Sequence, residues 1–158
     1  MKKINYTALA ICVAIPLIVG GAAGLLTREA TAAYGSTAVM PPLSPPAWLF
    51  PVAWTILYIL MGIASYFVFT SDATADEKRQ ALTLYAVQLA VNFIWPLVFF
   101  NAGAYTAAAA VILLLWVLII ATAVSFFRIS PTAGYLMIPY ILWVTFAAYL
   151  NIGVALLN

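Results

Sequence analysis

Pro41-Pro-Leu-Ser-Pro-Pro-Ala-Trp48-Leu-Phe-Pro51-Val-Ala-Trp54-Thr-Ile-Leu-Tyr58 changes character halfway along. Its first eleven residues hold five prolines, and the remainder is apolar with aromatic residues at Trp54 and Tyr58. Proline fixes φ and offers no N–H, so residues 41–46 read as a stiff, extended approach to a helix. Pro45 and Pro46 suit a first helical turn, where the missing donor would be unpaired anyway. A rigid loop therefore delivers the chain into a helix whose first turns carry large rings, which is the form of a lid and a wall.

The rest of the chain sets what that helix belongs to. Of 158 residues, 67% are hydrophobic and 6% are charged. A soluble domain carries roughly 25% charged residues, so this surface cannot face water on all sides. The chain reads as an all-α integral membrane protein. A span needs about 20 mostly apolar residues, and five runs qualify: residues 5–26, 46–70, 80–101, 104–127 and 132–156. They make one transmembrane domain over 1–158, a five-helix bundle with a long loop between helices 1 and 2, from Thr27 to about Ser44. The first run is longer than the roughly 7–15 residues of a secretory h-region, so it is read as a retained span. Pro16 predicts a kink in it, and Gly20 and Gly24 form a small-xxx-small pair suited to close packing. The other connections are short, which makes successive helices antiparallel neighbours.

Lys2, Lys3, Lys78, Arg79 and Arg128 fall on one side of five such spans, and Arg28 on the other. The bias places the N-terminus in the cytoplasm and the C-terminus outside. The net charge of +2 comes with no basic cluster longer than two residues, so nucleic acid is not an expected partner. Cys12 is the single cysteine, and no intrachain disulfide can form. No ionisable acid or base lies within a span, with Arg28 and Glu29 at an end, which argues against ion pumps and proton relays. Histidine is absent, so no axial histidine is available to a haem. If a tetrapyrrole binds, a metal-free or non-ligated one fits better, with no metal site and no required cofactor. The odd number of spans argues against a simple inverted-repeat transporter.

The interior is instead neutral and patterned. Tyr85, Gln88, Asn92 and Trp95 recur at three, four and three residues, on one face of the third span, and Pro96 predicts a kink beside the indole. A carboxamide facing lipid would strand its polar atoms at a cost of several kcal/mol. Gln88 and Asn92 therefore face another helix, water or a ligand, and the spacing suits interhelical bonding and ligand contact equally. Trp54, Tyr58, Met61 and Ser65 share a face of the second span; Tyr140, Trp143, Ala147 and Asn151 share one of the fifth. Trp48 reads as an interface anchor and Trp116, without polar company, as a packing residue. Three helices each offering an indole and a polar atom would line one flat, mostly apolar cavity.

These blocks carry a resemblance. Five spans, Pro45-Pro46 eight residues before Trp54, the stretch Tyr85-Ala-Val-Gln88-Leu-Ala-Val-Asn92-Phe-Ile-Trp95-Pro-Leu-Val-Phe-Phe100, and Ile138-Pro139-Tyr140-Ile-Leu-Trp143-Val-Thr-Phe-Ala-Ala-Tyr149-Leu-Asn151 resemble the translocator protein family, also called tryptophan-rich sensory proteins. The resemblance covers almost the whole chain and is to the bacterial type. It implies a five-helix bundle, commonly a homodimer in the lipid bilayer of the bacterial cytoplasmic membrane. It also implies binding of porphyrins such as protoporphyrin IX and of benzodiazepine or isoquinoline drugs beneath the first loop. Carried over residue by residue, the ligand positions are Trp54, Tyr58, Asn92, Trp95, Trp143 and Ala147; Gln88 and Tyr140 join them from the patterns above. In some bacterial members the tryptophans matching Trp54 and Trp143 are tied to light-dependent porphyrin breakdown, which makes these two the candidate catalytic residues.

Departures from the pattern are local. Met40-Pro41-Pro42-Leu43-Ser44 stands where the family often has a basic residue, proline, serine and tryptophan, so the loop indole is missing. Tyr34 can stand in for a different aromatic, earlier in the loop, though one residue out of register. No basic residue follows Tyr149, so the fifth-span sterol pattern of some members is not met. Reversed versions at Lys3–Tyr6–Leu9 and Arg79–Tyr85–Val87 carry little weight. Three functions are set against one another: a receptor, sensor or transporter of tetrapyrroles; an enzyme for light-dependent oxidative degradation of protoporphyrin IX; and a ligand-independent membrane scaffold.

Overall fold

The structure is a computed structural model and describes residues 2–158. Six α-helices make five helices long and apolar enough to cross a membrane: α1 (Tyr6–Thr37), α2 (Leu49–Phe69), α3 (Ala75–Pro96), α4 (Tyr105–Ile129), α5 (Pro131–Leu136) and α6 (Ile138–Leu157). The last two run on as one span. The chain is an all-α integral membrane protein. Around the bundle, α1 packs on α2, α2 on α5, α5 and α6 on α4, α4 on α3, and α3 closes the ring on α1. The backbones of α1 and α2 come close at Gly62, where a methyl group would stand 2.6 Å from Val13 Cα on α1. By contrast α2 and α6 barely meet, because α5 takes up most of the contact with α2.

Several boundaries differ from the apolar runs, for local reasons. Helix α1 continues through Arg28 and Glu29 to Thr37, so the first loop is Ala38 to Trp48 rather than Thr27 to Ser44. At a rise of 1.5 Å per residue the 32-residue helix is roughly 48 Å long and outruns a bilayer core of roughly 30 Å. Its extension is held by Tyr34, whose ring meets Phe99 and Phe100 edge-on, each with centroids 5.3 Å apart. Tyr34 therefore serves the helix, not the loop. Helix α3 begins at Ala75, ahead of its apolar run, because Thr74 and Glu77 form a capping box. Prolines 45 and 46 precede α2; it is Pro51 that lies in its first turn.

The two predicted breaks take specific forms. Pro96 cannot donate to the carbonyl one turn back, and the backbone beyond it widens into a π-helical turn, Leu97–Asn101, with Ala102 N donating to Leu97 O at 3.0 Å. The fifth span is interrupted at Met137, because Pro139 has no N–H for the carbonyl of Tyr135. The core runs down the bundle axis through Met61, Ile112, Phe126, Met137 and Tyr140, all fully buried.

Candidate functional site

The polar residues on the axis form one directed chain. Tyr58 Oη donates to Asn92 Oδ1 at 2.7 Å, Asn92 Nδ2 donates to Tyr140 Oη at 2.6 Å, and Tyr140 Oη donates to Gln88 Oε1 at 2.8 Å. Helices α2, α3 and α6 are thus joined through neutral groups alone. Each such bond in a membrane interior contributes roughly 0.6–2 kcal/mol. Gln88 and Asn92 face neighbouring helices, which is one of the arrangements that their spacing allows.

A ladder of rings stands on this chain. Trp54 stacks on Tyr58 with centroids 5.7 Å apart and planes at 27°. It meets Tyr140 and Trp143 edge-on, at 6.2 Å and 6.5 Å. Trp143 leads on to Phe146 at 5.8 Å, and Phe146 stacks on Tyr149 at 6.2 Å. Phe50 of α2 flanks Trp143 at 5.8 Å. Such pairs contribute roughly 0.5–1.5 kcal/mol each beyond burial. The ladder fills the space between α2 and α6 with side chains where the backbones stay apart. An open apolar groove of ≈ 450 Å³ runs along its outside, walled by Ile56, Leu57, Leu142, Trp143 and Phe146.

The ladder ends under the first loop. Tyr149 Oη donates to the carbonyl of Pro42 at 2.8 Å. Pro41 is buried against Gly153, where a methyl group would stand 2.6 Å from Pro41 Cβ. Asn158 pairs with both backbone polar groups of Val39, at 2.9 and 2.8 Å. The loop is thus fastened to α6 at three points. Leu43, at the position of the missing indole, is 82% exposed and has φ of 66°, a left-handed conformation that strains a leucine.

The sequence-derived residues therefore divide. Trp54, Tyr58, Gln88, Asn92, Tyr140 and Trp143 lie in one connected group, with Ala147 buried in the same core. Trp95 turns to a second aromatic group with Phe99 and Phe100, and its Nε1 donates to Asn151 Oδ1 at 2.9 Å. Asn151 is completed by Tyr105 O at 2.9 Å, so it pins the turn between α3 and α4 to α6. Trp116 does have polar company: its Nε1 donates to Thr145 Oγ1 on α6 at 2.8 Å. The indole N–H of Trp143, though buried, has no partner. Phe146 and Tyr149 join the site although no helical face named above includes them; the signal is that Tyr140, Trp143, Phe146 and Tyr149 recur every third residue. Gly20 does allow a close helix contact, with the ring of Tyr58 on α2, whereas nothing lies within 4 Å of a methyl group at Gly24. Among the described residues no cluster of His, Cys, Asp or Glu could hold a metal ion.

Comparison with known proteins places this arrangement among relatives. The profile described as TspO/MBR family matches residues 12–157. The chain is 39% identical over 150 residues to the tryptophan-rich protein TspO of Chlorobaculum tepidum, covering 95% of each. It is 42% identical over 118 residues to the tryptophan-rich sensory protein of Cereibacter sphaeroides, covering 75% of this chain and 72% of that one. The translocator protein of Ovis aries is 39% identical over 112 residues, covering 70% of this chain and 66% of its own.

Proposed function

The chain belongs to the TspO/MBR family, and on that premise we propose that it is a membrane receptor, sensor or transporter that binds porphyrins such as protoporphyrin IX. Benzodiazepine- and isoquinoline-type ligands would share the site. One observation carries this reading: Trp54, Tyr58, Tyr140 and Trp143 meet ring to ring on a floor of neutral hydrogen bonds, under a fastened loop. A flat macrocycle replaces ring–ring contacts with contacts of the same kind. The floor binds no charge, and a bound tetrapyrrole needs no axial ligand from this chain. Ligand binding lies with Trp54, Tyr58, Gln88, Asn92, Tyr140, Trp143 and Ala147, and Trp95 supports the fold beside them. The protein acts in the cytoplasmic membrane as a homodimer, with its N-terminus inside and its C-terminus outside.

The test is a protoporphyrin IX titration followed by tryptophan-fluorescence quenching. Binding is expected to weaken at least tenfold, about 1.4 kcal/mol, in the Trp54→Phe, Trp143→Phe double variant. Unchanged binding there would remove the ligand from this site. If neither porphyrins nor drugs raise the thermal midpoint, the scaffold reading holds instead, since a ligand specific for the folded state must raise apparent stability.

A second reading is favoured by the edge-on contact of Trp54 with Trp143 at 6.5 Å. Two oxidisable indoles beside a light-absorbing macrocycle suit photo-oxidation with dioxygen as oxidant. Loss of the Soret band under illumination, slowed in Trp143→Phe, distinguishes degradation from binding alone.

A further inference from the structure

The ring ladder joins the interior of the site to an exposed residue. Trp54 meets Trp143 at 6.5 Å, Trp143 meets Phe146 at 5.8 Å, and Phe146 stacks on Tyr149 at 6.2 Å with planes at 25°. Trp143 and Tyr149 are six residues apart on α6, roughly 9 Å of axial rise, and Phe146 fills that gap with a ring. Tyr149 is 42% exposed, and its hydroxyl reaches the first loop at Pro42. Indole and phenol both give up an electron readily, and electron transfer between rings falls off steeply with separation. We propose that Trp143, Phe146 and Tyr149 form an electron path, along which an oxidising equivalent formed on the Trp143 indole passes out to Tyr149. Phe146 is the bridge and is not itself oxidised.

Protons decide where the path ends. The buried N–H of Trp143 has no hydrogen-bond partner, so an indole radical cation there keeps its proton and stays a strong oxidant. A phenol that gives up an electron must release its proton as well. Tyr58 and Tyr140 also stand against Trp54, at 5.7 and 6.2 Å, but their hydroxyls donate to the amide oxygens of Asn92 and Gln88. A proton released there would go no further, and its charge would stay in the buried core at high cost. Tyr149 releases its proton at an exposed position, where water takes it. The steps balance. An oxidant removes one electron from the indole; one electron from Tyr149 restores the indole; the phenolic proton goes to water and leaves a neutral tyrosyl radical. A water-soluble thiol or enediol returns one electron and one proton to Tyr149. The source of the oxidant rests on the photo-oxidative reading above: a light-excited guest takes the electron and hands it to dioxygen. The path spares Trp143 from irreversible oxidation during illumination.

Laser flash photolysis of the ligand-free full chain in lipid nanodiscs tests the path apart from that reading. Excitation at the red edge of the indole band, where tyrosine does not absorb, ejects electrons from tryptophan, and dissolved dioxygen takes them up. The indole-radical signal is expected to decay as a tyrosyl-radical signal grows. Tyr149→Phe should abolish one phase of that growth. Phe146→Leu should slow the same phase several-fold while keeping Tyr149 and its bond to Pro42. Both positions lie outside the fully buried core, so neither variant empties it. A tyrosyl yield unchanged in Tyr149→Phe overturns the proposal, and so does a phase that Phe146→Leu leaves at the unaltered rate. Protoporphyrin IX is then added as a separate arm. If illumination oxidises neither Trp54 nor Trp143 in a chain whose path works, the photo-oxidative reading fails and the path stands.

Discussion

The ring of Tyr58 lies so close over Gly20 that a methyl group there would stand 2.1 Å from Tyr58 Cε2. Helix α1 thus contributes to the site by having no side chain at that point. Gly20→Ala must push the ring away and draw the hydroxyl off Asn92. Overpacking of this kind costs roughly 1–3 kcal/mol, and the thermal midpoint should fall. Gly24→Ala is the matched control, since nothing lies within 4 Å of a methyl group there. Equal effects from the two substitutions would show that helix α1, and not the seat of Tyr58, is being perturbed.

Asn92 both accepts from α2 and donates to α6. Asn92→Leu removes both bonds and leaves the Tyr58 hydroxyl without its acceptor in the buried core, while Tyr140 keeps its bond to Gln88. A loss of roughly 1–3 kcal/mol is expected. Tyr58→Phe removes one bond at its outer end and should cost roughly 1 kcal/mol or less. A double-mutant cycle on unfolding in detergent should show positive coupling between the two positions. Additive losses would mean that the bonds act separately and that no chain exists.

Much of this arrangement was legible before the structure, and the part that was not has physical causes. Apolar run lengths gave five spans because a bilayer imposes length and composition together. Helix ends escaped that logic: α3 starts where Thr74 and Glu77 cap it, in polar sequence, and α1 continues because Tyr34 finds Phe99 and Phe100 across the bundle. Helical spacing put Tyr58, Asn92 and Tyr140 on inward faces, but which amide atom meets which hydroxyl is decided only by three helices at once. Trp95 and Trp143 look alike in sequence; Asn151, 56 residues from Trp95, is what separates them. The fastening of the loop was illegible for the same reason, because Val39 and Asn158 are 119 residues apart.

At the charged end, the Lys2 ammonium hydrogen-bonds the Asp72 carboxylate and holds its pKa below the usual carboxylate range. A pKa lowered on folding contributes stability above the unfolded value, which is lost as pH falls through the folded one. Both side chains are largely exposed, 63% for Lys2 and 90% for Asp72, so the effect is small and screened by salt. Asp72→Asn should leave the thermal midpoint unchanged at neutral pH. It should slightly flatten its decline below the ordinary carboxylate pKa, at low salt only. A large loss at neutral pH would mean that Asp72 has a partner other than Lys2.

The loop offers the sharpest kinetic prediction. Three contacts hold it to α6: Tyr149 to Pro42, Pro41 against Gly153, and Asn158 to Val39. All three lie at the loop end of the ring ladder, away from Trp54 and Trp143, so weakening them should change how fast a ligand leaves more than how the rings grip it. Each neutral hydrogen bond contributes roughly 0.5–1.5 kcal/mol, which corresponds to roughly two- to tenfold in rate. Tyr149→Phe keeps the stacked ring on Phe146 and removes only the bond to the loop. It should raise the porphyrin dissociation rate within that range, measured by stopped-flow after dilution, while the quenched fluorescence of the complex stays the same. Gly153→Val displaces Pro41 outright and should exceed it. If association and dissociation both stay at the unaltered rate in Gly153→Val, the ligand does not pass the loop, and exchange must occur between α2 and α6, where side chains alone close the wall.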